Sequence, residues 1–189
     1  PIGHSASTLQ NLVVRDTHFV STSGNEAVNV RKGFVVKHLL FDNCYFNIPT
    51  GLYDIRMSDT SSTITTLKLS NCRINQPQGG LINGSAGTTP VVTNLVVQNL
   101  TVDLCTHILG DIVSGMTINV WIDGMYGATV NTSMVFNRSG STLNMRTFQG
   151  VTGAANTGKF GSTGTVNWGG VNSPVVQKAG AVSDGDFSY

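Results

Sequence analysis

The segment LLFDNCYF, residues 39–46, sets a pattern that recurs along the chain. Leu39 and Phe41 alternate with Leu40 and Asp42, and after Asn43 the apolar character returns at Cys44 and Phe46. Alternation marks a strand with one buried face. Asn tolerates positive φ and bonds its own backbone, so a turn belongs at Asn43. Sister segments are LVVRDTHF from Leu12, LKLSNCRI from Leu67, LVVQNLTV from Leu95, VWIDGMYG from Val120 and LNMRTFQG from Leu143. Their starts lie 27, 28, 28, 25 and 23 residues apart.

In this frame the fifth position reads Asp16, Asn43, Asn71, Asn99, Gly124 and Thr147. The sixth returns inward at Cys44, Cys72, Leu100, Met125 and Phe148, and the eighth adds Phe19, Phe46, Ile74 and Val102. VNV (28–30), DIRM (54–57), LIN (81–83) and MVF (134–136) read as a second strand per repeat. Pieces around Val36, Ile64 and Val92 read as a third. Three short strands per turn describe a solenoid whose equivalent residues stack about 4.8 Å apart. The expected fold is therefore all-β: a right-handed parallel β-helix over residues 1–152, of about six coils of 23–28 residues. An irregular Gly/Ser/Thr-rich cap is expected over 153–189, where Phe160, Val166, Trp168 and Val175 would cover the last coil. A β-sandwich also has many short strands, but it does not require one five-position frame six times over.

Composition agrees with strands and polar turns. Charged residues are 11% of the 189, and Glu26 is the only glutamate. A formal charge of +1 gives no electrostatic case for nucleic acid. No apolar run reaches the roughly 20 residues of a membrane-spanning helix, so no membrane insertion is expected. Cys44, Cys72 and Cys105 form no C-x-x-C pair and are read as free thiols of a protein assembled in a reducing compartment. The four histidines fall at different phases of the repeat, so neither a metal nor another cofactor is expected. The chain starts at Pro1 rather than Met, as a processed or excised piece would.

Inward positions are packing, so chemistry is sought in the outward columns. The second position reads Val13, Leu40, Lys68, Val96, Trp121 and Asn144. An apolar stripe of this kind marks an interface, and Val13, Leu40, Val96 and Trp121 are the candidate contacts. The fourth position, Arg15, Asp42, Ser70, Gln98, Asp123 and Arg146, predicts charge pairs on neighbouring rungs, Asp123 below Arg146 among them. The seventh reads His18, Tyr45, Arg73, Thr101, Tyr126 and Gln149. Aromatic rings beside hydrogen-bonding groups suit sugars, which makes Tyr45, Arg73 and Tyr126 the candidate substrate contacts, together with Arg56 beside the carboxylates Glu26, Asp54 and Asp111. Glu26, Asp54 and Asp111 lie 14, 15 and 16 residues after their repeat starts and are the candidate acid/base carboxylates. Ordinary surface salt bridges are the competing reading of this patch.

Val120-Trp121-Ile122-Asp123 matches the first four letters of the pectate-lyase segment vWiDH, and Gly124 replaces its histidine. The chain thus resembles the pectate-lyase-like β-helix superfamily in periodicity, from residue 9 to about 152. Asp111 and Asp123 fall short of a calcium-lyase ligand set, and no R-x-P-x-x-R segment is present. The closing AVSDGDFSY resembles the end of many phage-encoded β-helix proteins, in which the chain runs on further. With its outward apolar stripe, free thiols and low charge, the chain looks like a phage tailspike or tail-fibre protein. That resemblance implies a homotrimer in the virion's tail, assembled in the host cytoplasm, that binds a bacterial surface polysaccharide. Many members also cleave it, here as a glycoside hydrolase sooner than a calcium-dependent lyase. The alternatives are a secreted stand-alone lyase or hydrolase of the same fold, and a non-catalytic structural or adhesive solenoid.

Overall fold

The computed structural model describes residues 7–21, 28–30, 33–48, 53–57, 63–84, 91–112, 117–127, 135–137, 142–153, 160–162 and 165–168. The first coils carry β1 (Thr8–Arg15), β2 (His18–Val20), β3 (Val28–Val30), β4 (Val35–Asp42), β5 (Tyr45–Asn47) and β6 (Tyr53–Met57). Next come β7 (Thr63–Ser70), β8 (Arg73–Gly84), β9 (Val91–Ile112) and β10 (Thr117–Gly127). The chain continues through β11 (Val135–Asn137), β12 (Thr142–Gly153), β13 (Phe160–Ser162) and β14 (Thr165–Trp168). No helix occurs among the described residues. The strands join in one strongly curled sheet, its main path running β1-β4-β7-β9-β10-β12-β14. Its strand pairs are parallel, an arrangement consistent with a β-helix-like solenoid.

Register reproduces the sequence frame over five repeats. Leu12 pairs with Leu39, Leu39 with Leu67, Leu67 with Leu95 and Leu95 with Val120. Val36, Ile64 and Val92 pair in the same ladder, so they open these strands and do not form separate ones. The other two lines of strands are Phe19-Phe46-Ile74-Val102 and Val28-Ile55-Ile82-Leu109-Val135-Phe160. Asp16, Asn43, Asn71 and Asn99 adopt φ of 50–53° and Gly124 adopts 78°, the left-handed turn at each fifth position. This turn is what curls the sheet. Through it β9 passes as a single strand, with Leu95 and Val97 buried before the corner and Leu100 and Val102 after it.

The core is the set of inward ladders. Leu39, Phe41, Phe46, Leu67, Leu69, Leu95 and Val97 are fully buried or nearly so. Phe46 lies parallel to Phe19 with ring centroids 4.9 Å apart and meets Phe41 edge-on at 5.2 Å. Each fully buried Leu or Phe contributes about 1.5–3 kcal/mol. At the corner, side chains bond from coil to coil. The Nδ2 groups of Asn43, Asn71 and Asn99 donate to Asp16 Oδ1 (2.6 Å), Asp42 Oδ1 (3.2 Å) and Asn71 Oδ1 (3.1 Å). Two further ladders lie elsewhere. Asn75 donates to Asn47 at 3.0 Å, while Asn119 donates to Asn94 and Asn144 to Asn119, both at 3.1 Å.

The sixth repeat departs from the frame. Val120 pairs with Met145 and Trp121 with Thr147, so Arg146 is an extra residue and a β-bulge opens between Val120 and Trp121. Leu143 stacks on Ile118, and Asn144 on Asn119. Leu143 and Met145 both continue the apolar alternation, so a two-residue slip leaves the pattern unchanged. Parallel pairing also continues past residue 152, with Phe160 on Val135, Val166 on Leu143 and Trp168 on Met145. These three residues lie in the segment expected to cap the last coil, and their backbones pair with the ladders. Val175 lies outside the described residues.

Candidate functional site

The seventh-position column forms a continuous strip around the corner from the main ladder. Register places His18 beside Tyr45, Tyr45 beside Arg73, Arg73 beside Thr101 and Thr101 beside Tyr126. Above Tyr126 stands Thr152; the expected Gln149 pairs instead with Asp123, because the two-residue slip and the residue inserted at Arg146 together displace the strand by three positions. Arg146, as the inserted residue, does not stand over Asp123. Its guanidinium donates to Asn119 Oδ1 at 3.4 Å.

Stacking decides which parts of the strip are available. The imidazole of His18 lies against the Tyr45 ring, centroids 4.6 Å apart and 18° from parallel. The Arg73 guanidinium lies 5.3 Å from the same ring's centroid, on the neighbouring coil. With partners on the coils below and above, half-buried Tyr45 offers its edge and hydroxyl. Tyr126 pairs in register with Thr101 and Thr152 and is 52% exposed, so much of its ring meets solvent.

Arg73 is held in place by Asp103, a residue that the sequence reading passed over. Val102 pairs with Ile74 but Leu104 with Asn75, so Asp103 is a second inserted residue. Arg73 Nε donates to Asp103 Oδ2 at 2.6 Å, and this bond is the first cause of the guanidinium's raised pKa. The signal for Asp103 was the 30-residue spacing from Arg73, two more than the coil period there. At the first coils Arg15 Nε meets Asp42 Oδ2 at 3.6 Å, the charge pair that the fourth position predicted.

A second feature lies on the main outward face. Strands β7, β9 and β10 border a hollow of about 510 Å³ whose lining includes Thr66, Asn94, Val96, Gln98, Trp121 and Asp123. It takes in the upper half of the second-position stripe. Val13, Leu40, Lys68, Val96 and Trp121 do stack in register, with Thr147 and not Asn144 above them. Val13 is 49% exposed, whereas Leu40, Val96 and Trp121 are half-buried.

Of the candidate carboxylates, Asp54 and Asp111 are not placed side by side by the register. Asp54 lies on β6 and Asp111 on β9, while Glu26 is outside the described residues. Ile55 pairs with Ile82 and Ile82 with Leu109, so Asp111 stands two coils up and three residues further along than Asp54. Their backbones are about 14 Å apart by strand geometry. Arg56, on the same strand as Asp54, pairs with Asn29 and Asn83, on a line separate from the strip. Among the described residues no cluster of three His, Cys, Asp or Glu could hold a metal ion. Cys44 and Cys72 are buried free thiols. Cys72 is pushed up to about 11, chiefly by burial.

No protein-family model, curated protein or solved structure matches the chain.

Proposed function

We propose that the chain is a tailspike-like module: a right-handed parallel β-helix of about six coils that binds a bacterial surface polysaccharide along the seventh-position strip. The observation that carries this reading is an exposed aromatic ring paired with a fixed donor. Tyr126 offers its ring to the apolar face of a sugar, and two coils below, Asp103 holds the Arg73 guanidinium so that its remaining N–H groups can meet hydroxyl or carboxylate oxygens. Two coils correspond to about 10 Å, a span that suits an extended glycan better than a single ring. Pre-fixing the donor lowers the entropy lost on binding.

The reading extends to cleavage where Glu26 and Asp54, which the repeat puts on adjacent coils, serve as the acid/base pair. In this reading three copies associate through the first coils, at exposed Val13 and half-buried Leu40. The test is retention by bacterial surface polysaccharides in affinity electrophoresis. Tyr126→Ala and Arg73→Ala should each weaken retention at least tenfold while leaving the melting temperature in place. Undiminished retention in both variants would remove the strip from the account.

A further inference from the structure

The hollow beside Trp121 is built differently from the strip, and its chemistry is more specific. Val96 and the Trp121 indole supply apolar surface, and Thr66, Asn94, Gln98 and Asp123 supply a hydroxyl, two amides and a carboxylate. Its volume of about 510 Å³ falls within the range of small-molecule sites. A pyranose has this same duality, with a C–H face that packs on an aromatic ring and hydroxyls that both donate and accept.

Two observations show that the hollow is held in shape. Asn94 Nδ2 donates to Thr65 O at 3.3 Å and its Oδ1 accepts from Asn119 at 3.1 Å, so the amide is oriented before any ligand arrives. Trp121 sits where the ladder breaks register: it stacks on Val96 below, but above it Arg146 is inserted before Thr147. A bulge bends its strand and re-aims the neighbouring side chains, so the stacking above Trp121 differs from that of the regular rungs below.

We propose that this hollow is a saccharide subsite that takes one neutral hexose ring, stacked on Trp121 and bonded through Asn94, Gln98 and Asp123. The proposal rests on the polysaccharide reading for its biological ligand but concerns a different face of the molecule. The lining carboxylate disfavours an anionic sugar or a phosphate. A second copy of the chain is the weaker occupant, because interface cores are depleted of charge. Lys68 interrupts the apolar column here, and Asp123 stands at the edge of the hollow.

The chain has two tryptophans, so NMR of the unmodified protein gives two indole N–H signals, the one from Trp121 assigned by its loss in Trp121→Phe. The probes are the methyl glycosides of glucose, galactose, mannose and rhamnose, titrated through the millimolar range. At least one should move the Trp121 signal saturably and leave that of Trp168 in place, and Asp123→Asn should weaken that response several-fold. No response of Trp121 to any of the four overturns the subsite. A Trp121 signal that follows protein concentration and ignores the sugars also overturns it, in favour of self-association. Polysaccharide retention that Tyr126→Ala abolishes, with Trp121 silent, would leave the strip and remove the subsite. A Trp121 response in a chain that retains no polysaccharide would keep the subsite and remove the polysaccharide reading.

Discussion

Asn99 donates its side-chain amide to Asn71 one coil below at 3.1 Å, and a Cβ on Gly124, one coil above, would stand 2.8 Å from Asn99 Oδ1. The corner ladder therefore ends at Gly124 for a steric reason. The residue that separates this segment from the pectate-lyase word vWiDH is the one whose backbone, at φ 78°, passes closest to the ladder's last amide.

Gly124→Ala should destabilise the fold by about 1–2 kcal/mol, the cost of placing a Cβ in the left-handed region. Displacement of Asn99 adds to that cost. Urea unfolding measures it, and adding Asn99→Ala should make the Gly124 substitution less harmful than it is alone. Equal costs in both backgrounds would show that the contact with Asn99 carries no energy.

Asn71 serves the corner in two ways, through its φ of 53° and through bonds to Asp42 below and from Asn99 above. Asn71→Ala loses both, for about 3 kcal/mol, whereas Asn71→Gly keeps the backbone and should cost about half as much. A glycine variant as unstable as the alanine one would mean that the side-chain ladder outweighs the turn.

The frame was legible from Leu12 to Val120 because every rung there offers the same two signals, alternating apolar residues and a turn-forming fifth residue. It failed at Leu143 because in an alternation of period two Leu143 and Met145 serve equally well as a start, and the insertion of Arg146 then displaces the later positions by one more. The ladder of Asn94, Asn119 and Asn144 is hidden for a related reason: it lies one residue before the frame begins, and the six-repeat frame puts Asn144 in the second-position column. Tyr45, Arg73 and Tyr126 could be placed on one strip from spacing. Which ring stays exposed could not, because that depends on His18 and Arg73 stacking against Tyr45. The hollow at Trp121 is lined from three successive coils, β7, β9 and β10, and so is encoded in no single repeat.

Burial of Cys72 makes stability depend on pH at the alkaline end. Burial raises the thiol pKa in the folded chain to about 11 from the ordinary thiol value of 9.0, so the folded state holds the thiol proton more tightly than the unfolded one. The contribution is complete below pH 9.0 and is lost as pH rises through about 11. Melting temperature should therefore fall more steeply over that interval in the parent chain than in Cys72→Ala, whose lower starting value reflects the cavity. Parallel pH profiles would contradict this assignment.

Exposed Val13 and half-buried Leu40 predict self-association on the first coils. Light scattering of the chain should give the mass of a trimer, and Val13→Asp should shift it toward the monomer. A monomer at every concentration would assign the patch to solvent or to another segment.

The central claim is recognition of a bacterial glycan. An array of surface polysaccharides from different bacteria, probed with the full chain, tests it most directly. The account predicts selective binding to one or a few of them and loss of that binding in Tyr126→Ala. Absence of binding across the array, or equal binding to all of it, would contradict the account.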